Sequence, residues 1–431
     1  MDGRLNIFQK TMLQWNDLHP YNVVHAFRVP AELDWERLTK AVNGTLEAHG
    51  LTGLALNRDR GTYRYHGGAA ACEIKKIPVW ENPREAFCAE IERQLNKAFV
   101  QGERFSPFRF FVLPEPDAFW LGVVYFHAVA DAESVALLAR EMIEIYLPRG
   151  GARTFTPVNL RPESRRRLLQ QPGLIARKIA AAPALARRMR TSRHIDYFDE
   201  NEFTNNVAFF SLGAGDLASL RKTAKAWNVT LNDLFLGLLL KCLANSKSDC
   251  AGHPLRRKIS VGFIVNQRKD LGLEGRRAFG LFLGSLTVSH EVPAGIGLKE
   301  LAEDIRRQTL ASKRGKLYLG APLEMALGRF VLSWFSAERR RKIYRRHYPL
   351  WGGITNVNLN SLWEQPPGEK PVDCFRAVST GPVTPLVLSV TTVRDVVNFG
   401  ITYRSTVFSG LDIGQIKDDF LKMLEHLENR P

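Results

Sequence analysis

Apolar residues in the first 150 positions recur with two alternating periods, and the periods place the elements. Positions 21–29 are almost continuously apolar and predict a buried strand. Trp35, Leu38, Val42 and Leu46 then recur at helical spacing and predict an amphipathic helix over 34–49. Strands on either side of Arg58-Asp59-Arg60-Gly61 form an expected hairpin. A second helix starts at Asn82, a favourable N-cap, with Pro83 in the first helical position and Phe87, Ile91, Leu95 and Ala98 on one face. Strands over 108–113 and 118–126 are separated by the breaker Pro114-Glu115-Pro116-Asp117. A helix with Val135, Leu138, Ala139, Met142, Ile143 and Tyr146 on one stripe follows.

Between 147 and about 203 the periodicity stops, punctuated by Pro148, Gly150, Gly151, Pro157 and Pro162. It resumes as a strand over 206–212. Thr230 with Asp233 three residues on opens an almost wholly apolar helix through Leu243, which must be buried. Strands over 259–265, 279–288, 353–359, 386–393 and 396–403 and a helix over 412–427 complete the chain. The expected fold is α/β with mixed sheets: an N-terminal lobe over 1–160, a crossover segment over 161–205 and a C-terminal lobe over 206–431. A cleft between the lobes is the place to look for a small-molecule site.

Charge changes this picture locally. The 431 residues carry 60 Lys and Arg against 44 Asp and Glu, a net +16. Ten basic residues and one acid lie between Arg161 and Arg193, and seven and one between Arg329 and Arg346, so the rest of the chain is nearly neutral. The excess reads as two basic surfaces for an anionic partner. Nucleic acid is disfavoured as that partner, because no helix-turn-helix, zinc, RNP or KH signature accompanies either stretch. Cys72, Cys88, Cys242, Cys250 and Cys374 are scattered, without metal-site spacing, and read as reduced thiols; no metal site is expected. The N-terminus lacks the order of a signal peptide, and no apolar run reaches the roughly 20 residues of a spanning helix. The expected location is cytoplasmic, with peripheral membrane contact left open.

Phosphate loops, the G-x-S-x-G elbow and H-E-x-x-H are all missing from the sequence. What remains is His127-Ala128-Val129-Ala130-Asp131, a histidine where an apolar strand ends and an aspartate where the next helix begins. A side chain at that place can be held rigidly yet face a cleft, and imidazole suits general-base work. The alternatives are a structural histidine bonded to a loop and an Asp131 that only caps its helix, with Glu133 in the first turn.

Phe126-His127-Ala128-Val129-Ala130-Asp131-Ala132 resembles the H-x-x-x-D-G motif of the chloramphenicol-acetyltransferase-like acyltransferase superfamily, which includes condensation domains, wax ester synthases and polyketide-associated acyltransferases. The resemblance extends over most of the chain. Trp15, Pro20-Tyr21-Asn22 and Glu47-Ala48-His49 are similar to the opening strand and helix of that group. Asn232-Asp233, Val265-Asn266-Gln267-Arg268, Phe279-Gly280 with Gly284-Ser285, and Thr355-Asn356 are similar to its later segments. The resemblance implies two lobes with an active-site tunnel between them. His127 would be the general base, Asp131 and Arg268 a structural pair, and Asn356 and Thr355 the candidates for the oxyanion and substrate.

It further implies acyl transfer from an acyl-CoA or acyl-carrier-protein thioester to a hydroxyl, with no permanently bound cofactor. The rivals are a free-standing amide-forming condensation enzyme and a non-catalytic binding member of the fold. Three departures from the pattern stand out: Phe126 replaces a frequent first histidine, Ala132 replaces glycine, and Leu51-Thr52-Gly53-Leu54 lacks the arginine common after the first helix. The two basic stretches mix arginines with apolar and aromatic residues. They are candidates for an anionic membrane surface, for carrier-protein or CoA phosphate contact, or for solvated helix faces.

Overall fold

The computed structural model describes residues 2–78, 82–147, 172–199, 202–246, 255–273, 278–347, 349–363 and 372–428. Pro148, Gly150, Gly151, Pro157, Pro162, Cys250 and the start of the first basic stretch, 161–171, lie outside them. In chain order the first half runs β1 (Asp2–Arg4), α1 (Ile7–Asn16), β2 (Asn22–Val29), α2 (Trp35–Ala48), β3 (Leu54–Asn57), β4 (Thr62–Tyr65), β5 (Ile74–Lys76), α3 (Pro83–Asn96), β6 (Phe108–Pro114), β7 (Phe119–Phe126) and α4 (Ala132–Tyr146). After α5 (Pro172–Thr191) come β8 (Asn205–Leu212), α6 (Ala214–Ala226), α7 (Leu231–Ser246), β9 (Ile259–Asn266), β10 (Leu283–His290) and α8 (Leu298–Arg314). The chain then runs α9 (Ala321–Ser333), α10 (Ala337–His347), β11 (Gly352–Asn358), β12 (Asp373–Val378), β13 (Leu386–Val393), β14 (Val396–Arg404) and α11 (Gly410–Glu428).

These elements form two α/β lobes, each with its own mixed sheet and apolar core. The first sheet has the order β12-β2-β7-β6-β5 and the second β10-β9-β11-β13-β14-β8. The strand that ends at His127, β7, is central in the first sheet and flanked by β2 and β6, and its residues alternate between two covered faces. The second sheet is built around α7, whose start is fixed by a reciprocal pair. Asp233 accepts from the Thr230 amide at 2.9 Å, and Thr230 Oγ1 accepts from the Asp233 amide at 3.2 Å.

One strand ignores the order of the chain. β12 lies far along the sequence, yet it pairs antiparallel with β2 at the edge of the first sheet and packs against β13 and β14 of the second. Its close approach is possible because residue 400, on β14, is glycine. A Cβ there would sit 2.1 Å from the carbonyl oxygen of Arg376.

A second departure from the sequence pattern is the strand expected over 279–288, which begins only at Leu283. Gly280 has φ +151°, and its backbone bonds go to α4, not to a neighbouring strand: its carbonyl accepts from the Asp131 amide at 2.9 Å. The first basic stretch, where described, is a single helix, α5, which runs through Pro183.

Gly400→Ala is expected to cost ~1–3 kcal/mol or more, because a backbone atom of β12 cannot yield as a side chain would. The midpoint of urea unfolding measures it, and an unchanged midpoint would mean that β12 is not seated on the second sheet as described.

Candidate active site

Alternation along β7 sends Tyr125 and His127 to one face and Phe126 to the other. Tyr125 and His127 line the interlobe cavity. Phe126 is wholly buried in the core, against Phe99 and Phe105. The first-histidine position of the motif therefore points away from the cavity, and phenylalanine there fills core space.

The His127 ring is held on three sides. Tyr21 stacks on it at 5.2 Å between centroids, Tyr125 meets it edge-on at 6.0 Å, and Nδ1 lies 3.2 Å from the Ala130 carbonyl oxygen. A carbonyl only accepts, so Nδ1 carries the ring proton and Nε2 keeps its lone pair. Burial pushes the His127 pKa down to about 4, against the smaller raising effects of the Ala130 hydrogen bond and the Asp131 charge. The loop behind it is braced by α1, where Gln9 Nε2 donates to the Ala128 carbonyl at 2.9 Å.

Asp131 turns away from the imidazole and is 1% exposed. Arg268 Nη1 and Nη2 donate to its two oxygens at 2.9 and 2.8 Å. The Ser134 amide at 2.9 Å makes the same carboxylate the N-cap of α4, and the Phe282 amide adds a fourth bond at 3.0 Å. Arg268 also donates to Ser134 Oγ at 2.8 Å, and its guanidinium lies 4.8 Å from the Phe282 ring centroid. Capping and charge pairing are thus done by one side chain. Ala132 is the first helical residue, half-buried, and lines the cavity.

The cavity has a volume of about 910 Å³ and is lined from both lobes. It opens in the second sheet where β11 parts from β9: only three residue pairs, Gly352 to Ile354, join these strands, while β11 stays paired with β13 as far as Asn358. Thr355 and Asn356 lie just past the split. Both line the cavity, and Asn356 is exposed. His127, Asp131, Arg268, Thr355 and Asn356 therefore border one space. Asn232 and Asp233 are elsewhere: Asp233 is buried at the α7 start, bonded to Thr309 Oγ1 at 2.7 Å. The cavity wall also takes Lys178 and Arg188 from α5, Arg307 from α8 and Arg329 from α9.

Comparison with solved structures identifies this architecture. The chain matches SgcC5 from Streptomyces globisporus with a TM-score of 0.69 and 15% identity, covering 100% of this chain and 99% of that one. It matches the first condensation domain of the calcium-dependent antibiotic synthetase with a TM-score of 0.72 and 14% identity, over 100% and 97%. The starter condensation domain of rhizomide synthetase gives 0.67 and 14%, over 99% and 95%. The chain has the chloramphenicol-acetyltransferase-like fold. No family model and no curated protein matches its sequence.

Among the cavity residues that sequence reasoning missed in this chloramphenicol-acetyltransferase-like structure is Arg376 on β12, which is 1% exposed. Its Nε donates to Thr391 Oγ1 at 2.8 Å, and its Nη2 to the carbonyls of Val390 at 2.6 Å and Thr355 at 3.1 Å. None of those partners is charged, and Nη1 has no hydrogen-bond partner among the described residues. A lone arginine in the apolar run Cys374-Phe375-Arg376-Ala377-Val378 was the available signal. Ser134 was equally hidden, since nothing local shows that its hydroxyl serves Arg268 and Gly280.

Two outcomes are expected. The unfolded chain binds a proton on His127 between pH 6.5 and 4 and the folded chain does not, so this residue's contribution to stability is lost as pH falls through that window. His127→Gln should remove a slope of up to about 1.4 kcal/mol per pH unit from unfolding free energies measured across it. Asp131→Asn leaves the buried Arg268 only Glu133, 3.3 Å from its Nε, as a carboxylate partner and should cost up to ~3–5 kcal/mol in urea unfolding, with Asp131→Asn/Arg268→Met recovering most of the loss.

Proposed function

We propose that this protein is an acyltransferase that moves an acyl group from a CoA or acyl-carrier-protein thioester to a hydroxyl of a lipid-like or small-molecule acceptor. The observation that carries the reading is the His127 ring on the cavity wall, its Nδ1 proton held by a backbone carbonyl and its Nε2 left as a base. Acyl transfer between two bound substrates needs such a base and little else. Nε2 takes the proton from the acceptor hydroxyl as its oxygen attacks the thioester carbonyl carbon. The tetrahedral oxyanion collapses, the C–S bond breaks, and the proton passes from imidazolium to the departing thiolate. No bond to the enzyme forms at any stage.

Burial that lowers the His127 pKa keeps the base unprotonated at neutral pH. It also makes the imidazolium costly, so the proton transfer depends on the oxyanion forming beside it and supplying the opposite charge. Asn356 and Thr355, past the split in the second sheet, are the proposed donors to that oxyanion. Asp131 and Arg268 act at a distance by fixing the loop that aims the ring. Thioester use is supported by a fold neighbour at 14% identity that was crystallised in complex with C8-CoA and Leu-SNAC. Because condensation domains share the fold, amide formation is the second reading; the same base would serve an amine. Protein and substrates would meet in the cytoplasm, with no bound cofactor.

Thiol release from acyl-CoA and acyl-N-acetylcysteamine, each offered with pools of alcohols and of amines, tests the proposal. Release with alcohols supports the first reading, release with amines alone the second, and no release with either a binding role. His127→Ala should lower kcat/KM about 100-fold or more. The acid limb of kcat/KM should fall only as pH approaches about 4. A limb near 6.5 or a much smaller loss would place the base elsewhere.

A further inference from the structure

The helix α9 lies between the cavity and the solvent. Arg329 and Leu332 line the cavity from it, and it packs against α1 on the cavity side. On its outer side Phe330 is 66% exposed, and Trp334, one residue past the helix end, is 77% exposed; their rings meet edge-on at 6.3 Å. Two large aromatic side chains in contact with each other and open to water form a patch, unlike the single exposed apolar residues found on any surface.

The next helix, α10, follows α9 after a three-residue break and is strongly basic in sequence. It carries Arg339, Arg340, Arg341, Lys342, Arg345 and Arg346 against the single acid Glu338. Arg340 is used internally, closing the end of α9 through the carbonyls of Leu332 and Phe335, both at 2.9 Å, and Arg341 donates to the Leu18 carbonyl at 3.2 Å. Lys342 pairs with Glu338 at 3.0 Å. Arg339 and Arg346 are exposed, with no carboxylate partner among the described residues. On the inner side of α10, Tyr344 is buried, lines the cavity and receives the Trp15 Nε1 hydrogen bond at 3.3 Å. Both helices thus have the cavity behind them and basic or aromatic side chains in front.

We propose that the outer face of α9 and α10 is a docking surface for an anionic lipid bilayer, with Phe330 and Trp334 seated at the headgroup boundary and Arg339 and Arg346 on the headgroup charge. A tryptophan and a phenylalanine beside exposed arginines with no carboxylate partner among the described residues match a membrane interface, Arg339 lying over the Phe335 ring at 5.0 Å: the rings gain an apolar layer, and the guanidinium groups keep water and gain anions. An acidic protein would also satisfy the arginines, and the vesicle measurements below separate it from a bilayer. No single helix among the described residues is long and apolar enough to span a bilayer, and the proposed contact is an interfacial one. It would place the α9 wall of the cavity against the source of an apolar substrate.

The test is flotation of the full chain with vesicles of phosphatidylcholine alone and of phosphatidylcholine mixed with phosphatidylglycerol, at rising salt. Binding to the mixed vesicles that weakens with salt is expected. Phe330→Ser/Trp334→Ser should lower the partition coefficient about tenfold or more with an unchanged melting curve. Arg339→Glu/Arg346→Glu should remove the salt-sensitive part. Brominated acyl chains should quench the tryptophan fluorescence, and Trp334→Phe should lose most of that quenching. The proposal is overturned if mixed vesicles do not bind, if the serine variant binds them as well as the parent, or if only an acidic carrier protein is retained. Thiol release from a water-soluble thioester to a water-soluble acceptor should be the same in the serine variant and the parent, so failure here leaves the proposed chemistry standing.

Discussion

The ion pair between Asp131 and Arg268 joins residues 137 positions apart and takes one partner from each lobe. Two opposite charges removed from water are costly unless nearly every hydrogen-bonding site is matched, and here the carboxylate accepts four bonds. Because one of those donors is the first turn of α4 and another is the backbone at Phe282, the pair also fixes where α4 starts and where β10 may begin. The His127 loop hangs between these anchors. Its position is set by the docking of the lobes, and within it the imidazole is oriented by its ring packing and its Ala130 hydrogen bond.

Arg376 ties the lobes a second time from the opposite direction. It stands on a strand of the first sheet and donates into carbonyls of the second. Between the two arginines β11 leaves β9, and the cavity opens along that divergence. The cavity is thus a product of sheet topology: a sheet that splits on one side, held at a fixed width by buried cations on the other. That the Arg376 charge meets only neutral partners makes the wall beside His127 electropositive, an environment that favours negative charge developing nearby.

Most of this frame was legible from periodicity. β2, α2, α3, β7, α4, α7, β13 and β14 stand on strong apolar patterns, and their observed bounds fall within a residue or two of the expected ones, except that α7 runs three residues past Leu243. The elements that escaped share a physical reason. α1 turns Phe8, Met12 and Trp15 toward the cavity, so its stripe did not look like core; the Asn6 and Gln9 capping box was the signal left unused. α8 buries a narrow stripe in a very polar helix, and β12 interrupts an apolar strand with an arginine. At the candidate site, His127 and Asp131 were visible as a local motif because both belong to one strand-to-helix turn. Arg268, Thr355 and Asn356 came only through resemblance, and Arg376 not at all, since the contacts that give them meaning link distant segments.

The tautomer of His127 is chosen by a main-chain atom, the Ala130 carbonyl. Ala128, Val129 and Ala130 are all buried, so the three positions inside the motif are screened by volume while their chemistry goes unread. Side-chain replacement at 130 cannot delete the hydrogen bond that orients the ring; it can only crowd it. For anyone building variants of this loop, the permissible alphabet is therefore set by size and backbone preference, and a library of small apolar residues at 128–130 would sample packing while leaving the proton inventory of the imidazole untouched.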